Sequence, residues 1–146
     1  MKKKYDLPNI YKCEIAIIGL GYVGLPLAIG ISNNKICKNT KKQLHRKIVG
    51  FDISTERIKE LNQNFDRTKE VDNDDIKNSE IIFTNDSEYL KNADVFIVTV
   101  PTPIDDIKVP DLNPLKSATK EISEALKKRS KKTKAIVIFE RKVFPG

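Results

Sequence analysis

The sequence predicts an α/β fold in which a doubly wound parallel sheet has helices on both faces. Short β-prone runs alternate with segments of helical periodicity, which is typical of right-handed βαβ crossovers. The strongest run, residues 95–100, is apolar except for Thr99, as expected of a strand covered on both faces. A glycine-rich turn follows the first run. At 146 residues the chain is the size of one domain.

The first strand and helix are predicted around this turn. Residues 13–19 form an apolar run that ends in glycine, and residues 21–34 follow with helical spacing. Pro26 lies early enough in this helix to be tolerated in or near its first turn. One face of the helix carries Val23, Leu27 and Ile31.

The next segment contains a loop, a strand and a helix. Residues 35–47 are polar and basic without a clear period, which predicts a loop or an extended helix end. Residues 48–52 predict the second strand. Ser54 is placed to cap a helix that ends near Asn62. Residues 64–79 are acidic and are expected to be irregular.

The middle of the chain predicts two further strands. Residues 81–83 form a short strand, and Asp86 or Ser87 is expected to cap the small helix that follows. Residues 95–100 then form the fourth strand, which a Pro-Thr-Pro sequence interrupts.

The last helix and strand complete the predicted domain. Asn113 is expected to cap a long amphipathic helix, with Pro114 at its first position, that runs to about Arg129. Residues 135–139 predict a fifth strand, after which we expect the sheet to stop. The helix is expected to bury Ile122, Ala125 and Leu126.

Composition limits the classes of protein to which the chain can belong. Hydrophobic residues make up 39% and charged residues 32%, as in a globular protein. No apolar run approaches the ~20 residues of a membrane span, and no signal peptide is recognisable. We therefore expect a cytoplasmic protein without a membrane partner. Two cysteines, Cys13 and Cys37, and a single His45 predict neither a disulfide framework nor a metal site.

Lysine dominates the charge of the chain. Lys and Arg total 27 against 20 Asp and Glu, which gives a net charge of +7. The lysines gather at the N-terminus, at residues 35–47 and at residues 127–134. Such clusters can indicate nucleic-acid binding, but without interleaved aromatic residues they are more typical of a solvated surface. We therefore expect no nucleic-acid partner.

The glycine-rich turn has the G-x-G-x-x-G pattern of a dinucleotide-binding Rossmann-like fold. Gly19 permits the tight turn, Gly21 lets a pyrophosphate approach the backbone, and Gly24 lets helix and strand pack closely. The N–H groups of Tyr22 and Val23 are expected to face the phosphates at the N-terminus of the helix.

An acidic residue at the end of the second strand indicates which dinucleotide is bound. Asp52 is expected to accept hydrogen bonds from the adenosine ribose and to repel a 2′-phosphate, which favours NAD over NADP. It follows Gly24 by 28 residues rather than the usual ~20. An insertion at residues 35–47 explains the excess. The alternative to ribose binding is that Asp52 is a surface residue that caps the next helix.

Arg57, one helical turn further along, also has two possible positions. It is expected either to lie over the adenine or ribose, or to face solvent.

Several longer stretches carry a resemblance to a known family. Residues 19–26 read G-L-G-Y-V-G-L-P and residues 49–53 read V-G-F-D-I. Both resemble the start of the UDP-glucose/GDP-mannose dehydrogenase family. Residues 66–71, 98–105 and 110–115 are similar to segments of the branch that oxidises UDP-N-acetylglucosamine or UDP-N-acetylgalactosamine for capsule, O-antigen or Vi-type polysaccharide. The resemblance covers nearly all of the chain after its first twelve residues.

The resemblance implies an NAD-dependent oxidoreductase. The family oxidises the C6 hydroxyl of a UDP-sugar to a carboxylate, passing two hydrides to two NAD molecules. A cysteine thiolate holds the aldehyde between the two oxidations. The cofactor-binding residues expected from the motif and the resemblance are Gly19, Gly21, Tyr22, Val23, Gly24, Asp52, Arg57, Val100, Pro101 and Thr102.

The chain departs from the family in two respects. The resemblance implies a polar leader at residues 1–12 and an NAD-binding domain at residues 13–146, while the central and C-terminal UDP-sugar-binding domains, with the catalytic cysteine, are absent. We do not expect Cys13 or Cys37 to replace that cysteine. Lys142 stands where the family usually has a threonine that helps to position water and cofactor, and a lysine cannot accept a hydrogen bond there.

Two interpretations of the matched region remain open. The chain is either the cofactor half of a UDP-sugar 6-dehydrogenase, inactive by itself, or a truncated non-catalytic protein or module that binds NAD. Family enzymes oligomerise, but the sequence leaves the oligomeric state of this chain open.

Overall fold

A computed structural model describes residues 6–140 as a five-stranded sheet with helices packed on it. A 3₁₀ turn, Ser87–Leu90, precedes the fourth strand. The strands are β1 Glu14–Ile18, β2 Lys47–Phe51, β3 Ile81–Thr84, β4 Val95–Val98 and β5 Ile136–Phe139. The helices are α1 Gly24–Asn33, α2 Thr55–Asn62, α3 Asn73–Asn78 and α4 Asn113–Lys128.

All four strand pairs are parallel, and the strand order is β3-β2-β1-β4-β5. The register places Ile15 of β1 beside Ile48 of β2 on one side and Val95 of β4 on the other. The chain winds in one direction from β1 to β3 and in the other from β4 to β5. An open crevice forms at this switch point, between the carboxyl ends of β1 and β4. The predicted Rossmann-like fold is confirmed.

The sheet separates two hydrophobic clusters because successive side chains of a strand point to opposite faces. On one face, Ile15 and Ile17 pack with residues of α1, α2 and α3. On the other face, Ala16 and Ile18 pack with the 3₁₀ turn and α4. Full burial of an aliphatic or aromatic side chain contributes about 1.5–3 kcal/mol, so the two clusters hold the strand ends in place. The cluster with α4 includes Val49, Phe51, Leu90, Phe96 and Ile122.

Helix α1 begins later than its sequence periodicity predicts. The first residue is Gly24 rather than Gly21, because the preceding residues form the turn out of β1. Pro26 lies in the first turn, as predicted. Val23 lies just before the helix, and Leu27 and Ile31 are half-buried and pack against the core cluster. The fully buried apolar side chains of the helix are Leu25, Ala28 and Ile29.

Helix α4 differs from its prediction at its N-cap, whereas its last residue, Lys128, agrees with the predicted end near Arg129. Leu112, not Asn113, occupies the N-cap position, and Asn113 is the first helical residue. The carboxylate of Asp111 accepts the backbone N–H of Asn113 at 2.9 Å and supplies a substitute for a side-chain cap. Pro114 lies in the first turn as predicted. Leu126, predicted to be buried, is 38% exposed and lines a surface cavity beside Val137 and Phe139 of β5.

The two segments predicted to lack regular structure have different outcomes. The lysine-rich segment is a loop, closed by an antiparallel bridge between Ile36 and Gln43 and anchored by the buried side chain of Leu44. The acidic segment contains α3, so the expectation of an irregular segment throughout was wrong. Its short length and charged composition hid the helix, which is held to the core by one buried residue, Ile76.

The predicted caps of the two short helices are confirmed. Ser54 accepts the backbone N–H of Arg57 at the start of α2, and Asp86 accepts that of Glu88 at the 3₁₀ turn. Lys142 lies outside the described residues. Among the helices within residues 6–140, none has both the length and the apolar composition to cross a bilayer.

Candidate functional site

The glycine-rich turn leaves β1 at the crevice between β1 and β4. Gly19 has a φ of +96°, a conformation that favours glycine. Its N–H donates to the carbonyl of Phe51 at 2.8 Å, which ties the turn to β2. β4 ends at Val98, two residues before the predicted end, and the Thr99 hydroxyl instead donates to the carbonyl of Gly19 at 2.7 Å. Both neighbouring strands therefore hold the turn.

The other two glycines of the motif have opposite surroundings. A Cβ on Gly24 would lie 1.7 Å from the carbonyl oxygen of Gly19 and 2.5 Å from the Thr99 hydroxyl oxygen. Close packing of helix against strand therefore requires glycine at this position, as predicted. A Cβ on Gly21 would meet nothing within 4 Å. The space beside the Gly21 backbone is open to a ligand.

Unpaired backbone donors line this open space. Among the described residues, the N–H groups of Gly21, Tyr22 and Val23 donate to no protein atom. They precede the first turn of α1, where the helix dipole adds a partial positive charge. The Tyr22 side chain is 69% exposed and does not close the crevice. An anion with several oxygen atoms fits this arrangement of donors.

The Asp52 carboxylate lies beside the glycine turn. Oδ2 accepts the backbone N–H of Leu20 at 2.9 Å, and Oδ1 accepts that of Ser54 at 2.9 Å. Asp52 thus follows β2 directly and reaches the turn despite the long insertion before the strand. Each carboxylate oxygen has a second lone pair, so the group can still accept two hydroxyl donors from a ligand.

Arg57 does not face solvent, so that alternative from the sequence is wrong. Only 6% of its surface is exposed. Nε donates to the carbonyl of Leu20 at 2.8 Å, and Nη2 lies 2.8 Å from Oδ1 of Asp66. The guanidinium therefore lies under the glycine turn and forms part of the wall of the crevice.

Sequence reasoning did not single out Asp66. Its side chain is fully buried and accepts hydrogen bonds from the backbone N–H groups of Thr68, Glu70 and Val71 and from the Thr68 hydroxyl. Burial opposes its ionisation, but the hydrogen bonds from Thr68 and Arg57 prevail and hold its pKa below the usual value. Its signals in the sequence were the family-like segment at residues 66–71, of which it is the first residue, and the Asp-x-Thr spacing, which is typical of an Asx turn.

Two adjoining cavities occupy the crevice. The first, of about 390 Å³, lies between the glycine turn and the carboxyl end of β2. The second, of about 490 Å³, lies between the start of α1 and the segment after β4. Every expected cofactor residue except the tightly packed Gly24 lines one or both of them. The first is lined by Gly19, Asp52 and Arg57, the second by Tyr22, Val23 and Thr102, and both by Gly21, Val100 and Pro101.

The two cysteines lie away from this crevice. Cys13 is buried before the first residue of β1, at the opposite end of the strand from the glycine turn. Burial raises the pKa of its thiol, which makes it a poor nucleophile. Cys37 lies in the lysine-rich loop. Neither cysteine lines either cavity. Among residues 6–140, no group of His, Cys, Asp or Glu side chains is arranged to hold a metal ion.

Comparison with known proteins identifies the family. Residues 13–146 match the UDP-glucose/GDP-mannose dehydrogenase family, NAD binding domain. The chain belongs to this family. The resemblance found in the sequence is thus confirmed, as is NAD as the cofactor of this domain.

Individual relatives agree with the family assignment. The chain is 46% identical over 134 residues to the UDP-N-acetyl-D-glucosamine 6-dehydrogenase of Pseudomonas aeruginosa. It is 42% identical over 133 residues to Protein CapL of Staphylococcus aureus. Each alignment covers 91% of this chain. It spans about 28% of the length of these relatives. A ternary complex of GDP-mannose dehydrogenase from Pseudomonas aeruginosa superposes with a TM-score of 0.71 at 25% identity, over 90% of this chain and 29% of that one.

Proposed function

We propose that this NAD-binding domain serves an enzyme that oxidises the C6 hydroxyl of a UDP-N-acetylhexosamine to a carboxylate with two NAD molecules. The proposed binding of NAD rests on one observation, the hydrogen bond from the Leu20 N–H to the Asp52 carboxylate. This hydrogen bond brings the expected phosphate and ribose positions together in one crevice. The sugar half rests on relatives at 42–46% identity, one of which is named a UDP-N-acetyl-D-glucosamine 6-dehydrogenase.

The donors of the glycine turn fit the diphosphate of NAD. We expect the N–H groups of Tyr22 and Val23 to bind its oxygens, while the open space at Gly21 admits the phosphates to the backbone. Gly19 and Gly24 shape the turn without touching the phosphates. A helix N-terminus and unpaired amides provide the positive potential that a diphosphate requires.

The Asp52 carboxylate fits the adenosine ribose. Its oxygens are held in place by Leu20 and Ser54 and retain lone pairs for the 2′- and 3′-hydroxyl groups. A 2′-phosphate in the same position would meet a fixed negative charge, so NADP is expected to bind more weakly. Arg57 borders the same cavity, where it can contact the ribose or adenine.

The second cavity fits the nicotinamide half of the cofactor. Val100, Pro101 and Thr102 form its wall after β4, at the carboxyl edge of the sheet, where open α/β folds bind ligands. When bound, NAD supplies the hydride acceptor. The role of the described residues is to bind and orient it.

We further propose how this domain relates to the whole enzyme. Residues 1–12 precede the domain, residues 13–146 form it, and the UDP-sugar site with the catalytic cysteine lies in the remaining length found in the relatives. We also propose a cytoplasmic location, which two free cysteines and a nucleotide cofactor support. A turnover assay of the 146-residue chain with UDP-N-acetylglucosamine should give no NADH. Sustained NADH production would contradict the proposal that the UDP-sugar site and the catalytic cysteine lie outside this chain.

Calorimetric titration with NAD and NADP tests the cofactor site. The wild-type chain should bind NAD more tightly than NADP, and Asp52→Ala should abolish NAD binding. Asp86→Ala is the matched control, because Asp86 likewise accepts the N–H two residues ahead of it but lies outside both cavities. It should leave NAD binding unchanged. Equal affinity for NAD and NADP in the wild type would refute the role of Asp52.

A further inference from the structure

A buried chain of contacts lies beneath the glycine turn. The Leu20 backbone is held at both of its polar groups, since its N–H donates to Asp52 and its carbonyl accepts Nε of Arg57. The other end of the guanidinium pairs with Asp66. Asp66 itself borders neither cavity of the crevice, but it pairs with Arg57 and accepts hydrogen bonds from Thr68, and both of these residues line the first cavity.

Asp66 is well suited to fix the position of Arg57. Its carboxylate is fully buried and is itself immobilised by three backbone N–H groups and one hydroxyl from the segment that follows it. Arginine side chains have many rotamers, and a buried charged partner selects one of them. The Arg57 side chain is therefore held where its Nε meets the Leu20 carbonyl.

We propose that Asp66 is a positioning residue for NAD selectivity. Asp66 holds Arg57, Arg57 holds the Leu20 backbone, and the Leu20 N–H sets the orientation of the Asp52 carboxylate. This inference rests on the proposed role of Asp52 in binding ribose. Removing the Asp66 charge leaves the guanidinium with Glu60, at the longer distance of 3.6 Å, as its carboxylate partner. The Leu20 backbone is then held less firmly, and Asp52 can turn away from the ribose. Asp52 would then bind the 2′-hydroxyl less well and would repel a 2′-phosphate less effectively.

A second buried aspartate provides a matched control. Asp94 is also almost fully buried, accepts the backbone N–H of Glu14 at 2.8 Å and pairs with Arg129 at 3.0 Å. It precedes β4, so it lies at the end of the sheet opposite the crevice. Asp94→Asn removes a comparable buried charge without touching the chain of contacts below the glycine turn.

The experiment measures NAD and NADP affinity by calorimetry in wild type, Asp66→Asn and Asp94→Asn, at a temperature where all three are folded. Asp66→Asn should weaken NAD binding about tenfold, the effect of disturbing one hydrogen bond to a charged group. Asp66→Asn should also reduce the ratio of NAD affinity to NADP affinity, whereas Asp94→Asn should leave this ratio at its wild-type value. An unchanged ratio in Asp66→Asn, or an equal change in Asp94→Asn, overturns the proposal.

Hydrogen exchange of the Leu20 amide tests the same proposal without any cofactor. Exchange should be faster in Asp66→Asn than in wild type and unchanged in Asp94→Asn, and equal exchange in all three proteins overturns the proposal. This measurement separates the two ideas, since it tests the positioning of the Leu20 backbone even where the wild type fails to bind NAD, a result that would refute the proposed function. If Asp66→Asn does not fold, Asp66→Glu replaces it. The longer side chain of glutamate displaces the Arg57 guanidinium. The same changes in affinity ratio and in amide exchange are therefore expected, and their absence overturns the proposal.

Discussion

The hydroxyl of Thr99 donates to the carbonyl oxygen of Gly19 at 2.7 Å and also lies 3.1 Å from that of Ile18. This contact joins the end of β4 to the end of β1 at the point where the sheet changes direction. It also occupies the space that any side chain on Gly24 would need. The fold and the cofactor site therefore depend on the same few atoms.

Thr99→Val keeps the shape of the side chain and removes its donor. We expect a loss of about 1–2 kcal/mol in the free energy of unfolding, because a buried carbonyl loses its partner. Urea denaturation measures the change. Thr119→Val is the control, since Thr119 makes a similar 2.8 Å bond to the carbonyl of Leu115 on an exposed helix face. An equal loss in both variants would show that the Thr99 contact has no special weight.

Alanine substitutions should separate the two glycines of the turn. Gly24→Ala forces a methyl group against backbone oxygen and should destabilise the domain by about 3 kcal/mol, the upper range for overpacking. Gly21→Ala meets no protein atom and should change stability by less than about 0.5 kcal/mol. The same methyl group enters the proposed phosphate position and should weaken NAD binding. Thermal unfolding and calorimetry measure the two effects. Unimpaired NAD binding by Gly21→Ala would exclude close approach of the phosphates there.

Acid should destabilise the domain through its two buried aspartates. Despite the burial that opposes ionisation, hydrogen bonds from Thr68 and Arg57 lower the pKa of Asp66, and those from Glu14 N–H and Arg129 lower the pKa of Asp94. A carboxyl group whose pKa is lowered by folding stabilises the folded state at pH values above its pKa in the unfolded chain, about 3.9. This stabilisation is lost as the pH falls from about 4 through the lower pKa of the folded state.

Urea denaturation between pH 7 and pH 2.5 measures this dependence. The unfolding free energy of the wild type should fall steeply below about pH 4. Asp66→Asn and Asp94→Asn should each be less stable at pH 7 and show a shallower fall. A fall as steep as that of the wild type in both variants would assign the acid sensitivity to other carboxyl groups.

The outer strand β5 should promote association of the isolated domain. Its side chains Ile136, Ile138 and Phe139 are 38%, 46% and 47% exposed, which is unusual for a strand. At this edge of the described sheet, apolar side chains lie beside unpaired backbone groups, a combination that favours aggregation.

Ile138→Lys should therefore reduce concentration-dependent light scattering. Ile107→Lys is the control, because Ile107 is 78% exposed but lies in a loop rather than on a strand. A wild-type domain that stays monomeric and melts reversibly would contradict the expected association.

Much of the fold could be predicted from local patterns. Apolar runs located all five strands, and Ser54 and Asp86 marked helix starts, because these signals depend only on neighbouring residues. Strand ends and helix faces were less accurate. Leu126 is exposed and Leu25 is buried, because their environments depend on how far the sheet extends beneath each helix.

The sequence by itself determined the family, the order of the five strands along the chain and the glycine turn with its acidic partner, since motif spacing and periodicity encode these directly. Only the tertiary structure decided that Arg57 is buried, that Asp66 pairs with it and that Thr99 holds Gly19. Asp66 follows Arg57 by nine residues and lies beyond the end of α2, and Thr99 follows Gly19 by eighty. The Asp66 pair forms only when the chain folds back on α2, and the Thr99 contact only when the crossovers bring two strand ends together. No local pattern in the chain records either contact.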